Sequence, residues 1–271
     1  MKVVSLIIVL FFVCSVFAQN NPTPSNPISN EAFLSEQISS LQIDSIQKPT
    51  PKKIALVYKG PGSCSEDCSE GAAEVARLAG LTPQYVGPTD DNPELFYEAA
   101  IWIQPGGKSS VVGKNMTPKL KDLIRKFVSE GGAYVGFCAG GFYATDLIGQ
   151  TGNIGLGLIH AESTLYREVN NYAEILSLNW NGKQREVYWE GGPYFTLPKT
   201  NSLIQVLAQY PDGTAATIES RYGLGNVVVT GAHPEAPAWW SVSEKINDTD
   251  GVDHDLAVDM VQRALKSSPK N

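Results

Sequence analysis

Two short segments of this 271-residue chain carry residue types that together could do nucleophilic chemistry. The first is Gly136-Phe137-Cys138-Ala139-Gly140, a G-x-C-x-G turn between an apolar run and a helix-compatible stretch. Glycines flanking a nucleophile permit a bend that side chains would obstruct, and they let a substrate approach the backbone. Such a turn lifts the thiol to the edge of a sheet. It also sets the sulfur by a helix N-terminus, where unpaired N–H groups favour thiolate and can stabilise an oxyanion. The second segment is Val227-Val228-Val229-Thr230-Gly231-Ala232-His233-Pro234-Glu235, an apolar strand leading to a loop with an imidazole and a carboxylate two residues apart. His233 can take the thiol proton and return it to a leaving group, while Glu235 holds the ring in the useful tautomer. A free cysteine is more often a small core residue than a nucleophile. The chain has only three histidines, so finding one in this loop is informative.

Positioning those groups requires a scaffold, and its elements are legible in order. From Lys53 the chain gives a strand (Ile54 to Tyr58), a Gly60-Pro61-Gly62 turn, and a helix from Glu70 to Ala79 with Ala72, Val75, Ala76 and Ala79 as its apolar positions. A second strand, Gln84 to Val86, precedes an Asp90-Asp91-Asn92-Pro93 turn, and a third, Ala100 to Ile103, ends in Gln104-Pro105-Gly106-Gly107. Thr117 as N-cap and Pro118 at the first position open the next helix, whose Leu120, Leu123, Ile124, Phe127 and Val128 face inward before Gly131-Gly132 stop it. Ala133 to Phe137 is then a buried strand leading into Cys138. Strands alternating with helices imply an α/β fold: a mostly parallel sheet with helices on both faces and ligands at the carboxyl ends of its strands. Gly106-Gly107 and Cys138 both fall at such ends. The second half changes character. Glu174 to Trp180, Gln184 to Trp189, Leu203 to Ala208, Ala215 to Glu219 and Asn226 to Thr230 read as shorter strands in hairpins, some pairing antiparallel and the last returning to the main sheet. A final helix, Asp255 to Leu265, packs on one face.

The N-terminal end reads as a signal peptide, residues 1–18: a lysine at position 2, an apolar run from Val3 to Phe17, and a small-residue site at Val16 and Ala18. The competing reading, a membrane anchor, needs about 20 apolar residues, more than this run supplies. Residues 19–52 are rich in Asn, Pro, Ser, Gln and Thr and read as a low-complexity linker, within which Phe33, Leu34, Ile38 and Leu41 are spaced for a short amphipathic segment. Residues 53–267 form the domain. The acidic balance, a formal net charge of −7 without basic clusters, argues against nucleic-acid partners, and no later stretch is long and apolar enough to span a bilayer. The protein is expected to be secreted, extracellular or, in a bacterial host, periplasmic. With Cys14 lost in the leader, Cys64, Cys68 and Cys138 remain, an odd number for an oxidising compartment. Cys64 and Cys68 are close enough to bridge at the start of a helix, and without further Cys or a nearby His they make a poor zinc site.

Strand-Pro-Gly-Gly, then G-x-C-x-G, then His-Pro-Glu, in that order, resembles the class I glutamine amidotransferases. It resembles more closely the amidotransferase-like N-terminal domain of eukaryotic biotin-protein ligases and its free-standing relatives. The matching stretches are Val57 to Gly62, Gly136 to Ala144, Tyr188 to Phe195 and Gly231 to Glu235, within the span from Lys53 to Trp240. The resemblance implies a flavodoxin-like three-layer sandwich, with Cys138 as nucleophile, His233 as base, Glu235 as its orienter, and the backbone N–H groups of Gly107 and Ala139 as oxyanion hole. Gly106, Gly140, Phe142 and Tyr194 are expected around the pocket, with no cofactor and no metal. Phe142 stands where true amidotransferases carry a Gln that helps hold glutamine, which sets this chain apart from glutamine hydrolysis. No Gly-Arg-Gly-rich biotinyl-adenylate loop occurs before the last residue, Asn271, so the chain is not expected to ligate biotin by itself. The γ-glutamyl hydrolases share the Cys and His-Pro-Glu motifs and the exported habit.

Weaker signals have ordinary readings beside them. Tyr188-Trp189-Glu190-Gly191-Gly192-Pro193-Tyr194-Phe195 fits a pocket wall or equally a hairpin core. Asp248, Asp250, Asp253 and Asp255 suggest calcium, but Ile246 falls where an EF-hand loop needs its first oxygen ligand, and an acidic start to the last helix explains them better. His160 and His254 have no obvious sequence partners and read as structural or exposed. Asn115 and Asn247 begin N-x-T sequons, open to glycosylation in a eukaryotic host. The expectation is a secreted cysteine hydrolase acting on a small-molecule or peptide amide, with a γ-glutamyl-type bond as a variant. The alternative is a catalytically inactive ligand-binding or interaction module on the same fold.

Overall fold

In the computed structural model, residues 52–149, 153–167, 172–199 and 203–266 are described. The expected leader, 1–18, the Phe33–Leu41 segment and all of the linker but Lys52 lie outside the described residues. Within them, strand and helix alternate as the hydrophobic pattern requires: β1 (Ile54–Tyr58), α1 (Ser65–Leu78), β2 (Thr82–Val86), β3 (Ala99–Gln104), α2 (Ser109–Asn115), α3 (Pro118–Ser129), β4 (Ala133–Phe137) and α4 (Ala139–Ala144). The second half supplies β5 (Thr145–Ile148), β6 (Asn153–Ile154), β7 (Ile159–Leu165), β8 (Glu174–Trp180), β9 (Lys183–Trp189), β10 (Pro193–Thr196), β11 (Gln205–Gln209), β12 (Ala215–Tyr222) and β13 (Gly225–Thr230). Two helices close the chain, α5 (Ala238–Ser243) and α6 (His254–Leu265).

The parallel part of the sheet runs β2-β1-β3-β4-β13, a flavodoxin-like order, and β13 does return to pair β4, with Val229 opposite Gly136. Side chains alternate across it. Ala55, Val57, Ile101, Ile103 and Val135 face α1 and α6, meeting Ala72, Ala76, Met260 and Val261. Leu56, Tyr58, Trp102 and Tyr134 face the other way, onto Leu120, Ile124 and Val128 of α3 and Tyr143 of α4. Both faces are therefore closed to water, as a parallel sheet requires.

Beyond β13 the sheet continues antiparallel through β12, β10 and β7, with β11, β8 and β9 joined from the side. The β8–β9 hairpin turns on Asn181-Gly182, both at positive φ (49° and 81°), the residue pair a tight twisted hairpin prefers. Near this turn the hairpin is pinned by Arg185, which reaches Asp253 and Asp255 at 2.8 Å each. The acidic run is thus partly a set of Arg185 partners as well as the start of α6.

Several elements differ from the sequence expectation. Strand β7 lies in a stretch for which no strand was expected, and β10 falls in the stretch read equally as pocket wall or hairpin core; β7 mixes His160, Glu162 and Ser163 into its run, so its apolar pattern is thin. Helix α1 starts at Ser65 rather than Glu70, because Cys64 and Cys68 are disulfide-bonded one helical turn apart and hold an otherwise polar first turn. Helices α2 and α5 are short and were not anticipated. His160 is paired with Asp146 on the surface. The Thr117 cap is as expected: its Oγ1 accepts from Leu120 N–H at 3.1 Å.

That cap yields a direct test. Thr117→Ala should lower unfolding free energy by about 1 kcal/mol in urea denaturation, and Thr117→Ser should recover most of the loss. An unchanged Thr117→Ala midpoint would refute the cap's contribution.

Candidate active site

Cys138 sits at the junction of β4 and α4 with φ 46° and ψ −101°, a conformation L-residues adopt only under constraint and at a cost of order 1–3 kcal/mol. The constraint is visible around it. Cys138 N–H donates to Thr230 O of β13 at 2.9 Å, and Gly141 and Phe142 N–H groups return to Cys138 O at 2.9 and 3.1 Å. A Cβ on Gly136 would lie 2.5 Å from the Gly140 carbonyl, one on Gly140 would strike Gln104 O, and one on Gly141 would come within 2.8 Å of Thr230 O. These glycines are required by backbone packing against backbone. Because α4 spans only six residues, its dipole is short, and the charge partner of the sulfur is the imidazole.

His233 follows β13 in a loop tied back by its own N–H to Tyr188 O at 2.8 Å. The ring is 4% exposed. Its Nδ1 meets Glu235 Oε1 at 2.9 Å, which leaves Nε2 as the ring nitrogen free to serve the sulfur. Burial alone would pull the imidazole pKa down. The Glu235 carboxylate, with Cys138 beside the ring, outweighs it and holds the ring well above its ordinary 6.5. Glu235 is fully buried, with Oε2 lacking a hydrogen-bond partner among the described residues. Beneath the ring lies Gly106, where a Cβ would come 2.6 Å from His233 Cε1 and 3.1 Å from Cys68 Sγ.

Cys138 and His233 open onto a cleft of about 620 Å³. Its walls include Gly107, Lys108, the Cys64–Cys68 disulfide, Tyr188, Glu190, Trp239, Trp240 and Glu244. The His233 ring stands edge-on to Tyr188 and Trp240, at 5.9 and 5.4 Å between centroids. Cys138 Sγ also lies 3.6 Å from Glu190 O, to which its S–H donates.

The structure thus brings Cys138, His233 and Glu235 together. Gly107 is exposed on the cleft at φ 130°. The Ser63–Gly107 bridge is closed by the flanking bonds, Cys64 N–H to Gly106 O and Lys108 N–H to Gly62 O, so the Gly107 N–H points to no backbone carbonyl among the described residues. Ala139 opens α4, so its N–H has no intrahelical acceptor. The other four expected pocket residues do not line the cleft. Gly106 is buried under the imidazole, Gly140 is pressed on β3, Tyr194 packs into the core beside β7, and Phe142 is half-buried outside the lining. Asn115 and Asn247 are exposed, and Asn115 Nδ2 bonds its own helix at Val111 O. Sequence reasoning missed Trp239, Trp240 and Glu244. The signal was a tryptophan pair placed just beyond His-Pro-Glu.

An elbow cysteine, a His-Glu pair on the neighbouring strand end and a 2-1-3-4-5-type parallel sheet define an amidotransferase-like α/β protein. The chain belongs to the family described as biotin-protein ligase, N terminal, which matches residues 54–153 and 162–267. It is 26% identical over 212 residues to a biotin–protein ligase of Schizosaccharomyces pombe, covering 68% of this chain and 33% of that one, so it spans about a third of that relative's length. Among solved structures it is similar to a glutamine amidotransferase (TM-score 0.54, 21% identity, 66% of this chain and 90% of that one). It is also similar to a candidate GMP synthase component from Thermoplasma acidophilum (TM-score 0.50, 13% identity, 79% and 96%). These likenesses establish the fold.

Gly106→Ala tests how the imidazole is seated. With no functional atom removed, the added methyl must displace the ring, and Cys138 alkylation near neutral pH should slow by about tenfold or more while the protein stays folded by circular dichroism. Unaltered reactivity would show that the ring's position does not set the thiol's.

Proposed function

We propose that this protein is an exported cysteine hydrolase that cleaves an amide or related acyl bond through a thioester on Cys138. One observation carries the proposal: a buried imidazole is held between a buried carboxylate and an elbow thiol, at the floor of an open cleft. A solvated or core cysteine would need none of these partners.

In this scheme the thiolate attacks the acyl carbon, and the oxyanion that forms is met by the N–H groups of Gly107 and Ala139. The His233 imidazolium gives its proton to the departing amine, leaving a thioester and a neutral ring. His233 then takes a proton from water, whose hydroxide oxygen attacks the thioester; collapse expels the Cys138 thiolate and releases the acid. Glu235 keeps Nδ1 as the donor toward itself, so that Nε2 handles every proton. Export is supported by the leader-like N-terminus and by the Cys64–Cys68 bond, which persists in oxidising compartments.

A second reading, an inactive ligand-binding module, is favoured by the contact of Cys138 Sγ with Glu190 O, which must break before attack, and by Phe142 in place of the amidotransferase Gln.

Acyl-enzyme trapping separates the two. The mature protein is incubated with a panel of peptide and amino-acid amides and esters, then acid-quenched for intact mass or treated with hydroxylamine. The hydrolase predicts an acyl adduct and a hydroxamate for at least one member, both abolished by Cys138→Ala. Absence of adduct across the panel, or turnover surviving Cys138→Ala, would move the protein to the binding class.

A further inference from the structure

The cleft walls carry charge that the triad does not use. Asp67, Glu190 and Glu244 line it, against a single lysine, Lys108. All three carboxylates are exposed, and none belongs to a salt bridge among the described residues. One of them meets an aromatic hydroxyl: Tyr188 Oη donates to Glu190 Oε2 at 3.4 Å, while burial first, and then the charges of Glu190 and Glu244, drive the phenol pKa upward. Tyr188 packs against Trp240 at 5.3 Å, and Trp239, edge-on to Trp240, remains 50% exposed at the lip.

From this we infer that the site selects substrates whose acyl portion carries an ammonium or guanidinium group, held by the Glu190 and Glu244 carboxylates and the exposed face of Trp239. The assignment rests on the hydrolase reading above and narrows its substrate. An aromatic face beside unpaired carboxylates is a cation site by two separate attractions, ring quadrupole and Coulomb force. A concave wall of one sign also focuses potential and raises the local concentration of the opposite charge. The same wall repels acidic acyl groups, so a γ-glutamyl substrate meets like charges at Asp67, Glu190 and Glu244.

Cys138, the free thiol among the described cysteines, allows a direct reading. Methanethiosulfonates react by attack of the thiolate on the sulfenyl sulfur, forming a mixed disulfide and expelling methanesulfinate with the electron pair. Rates for the trimethylammonioethyl, sulfonatoethyl and uncharged methyl reagents are measured on the mature protein at pH 6.5 and pH 9, each normalised to 2-mercaptoethanol. At low ionic strength the cationic reagent should outpace the anionic one by about tenfold or more, and the ratio should shrink as salt is raised. The Glu190→Gln/Glu244→Gln variant should lower that ratio several-fold. Trp239→Ala should slow the cationic reagent by about two- to fivefold. A normalised ratio at or below one, or one indifferent to the double variant, overturns the inference. The methyl reagent reports separately on the hydrolase reading: a thiol reactive only near pH 9 would sink that reading, yet the charge ratio would still be read there.

Discussion

The hydrogen bond between His233 and Glu235 is the constraint around which the site is arranged. A carboxylate with no exposed surface is expensive to hold as an anion unless a cation or strong donors face it, and breaking such a pair strands a buried charge. Here one oxygen meets the imidazole at 2.9 Å and the other finds no hydrogen-bond partner among the described residues, so the ring is the principal partner of that charge. The pair therefore favours a protonated ring, placed beside the Cys138 thiol where it can exchange a proton with it.

Keeping three side chains in register demands close backbone packing. Gly71 of α1 lies so near that a Cβ there would come 2.9 Å from Glu235 O, and Gly106 leaves just enough room for the ring. Thr230 links the two halves of the site, its carbonyl accepting from Cys138 N–H and its Oγ1 from Ala232 N–H. The neighbouring parallel strands β4 and β13 carry nucleophile and base at the same edge, which is where side chains of such a sheet can converge. The antiparallel extension has a different task. The β8–β9 hairpin delivers Tyr188 and Glu190 to the cleft, and Tyr188 O anchors the His233 loop.

Much of this was legible in sequence, for identifiable reasons. The first half follows plain hydrophobic periodicity with strong punctuation at Thr117-Pro118 and Gly131-Gly132, so strands and helices fall close to their expected places. The elbow and the His-Pro-Glu loop are local motifs and could be read directly. What sequence could not supply was depth. Gly106, Gly140 and Tyr194 sit near the site in sequence logic but face the imidazole, a strand and the core. The glycines serve backbone approach rather than substrate access. The aromatic and acidic walls come from α1, α5 and the end of β9, about fifty residues or more from Cys138 along the chain, and only the fold brings them together. Strand β7 was hidden by its polar residues, and the polar first turn of α1 by its dependence on a disulfide.

The central claim is that His233, held by Glu235, activates the Cys138 thiol, and the rate of Cys138 alkylation by iodoacetamide at neutral pH, wild type beside His233→Ala, tests it most directly. The account predicts a wild-type rate about tenfold or more above that of His233→Ala, in which the thiol has lost its base. A rate indifferent to His233→Ala would contradict the account.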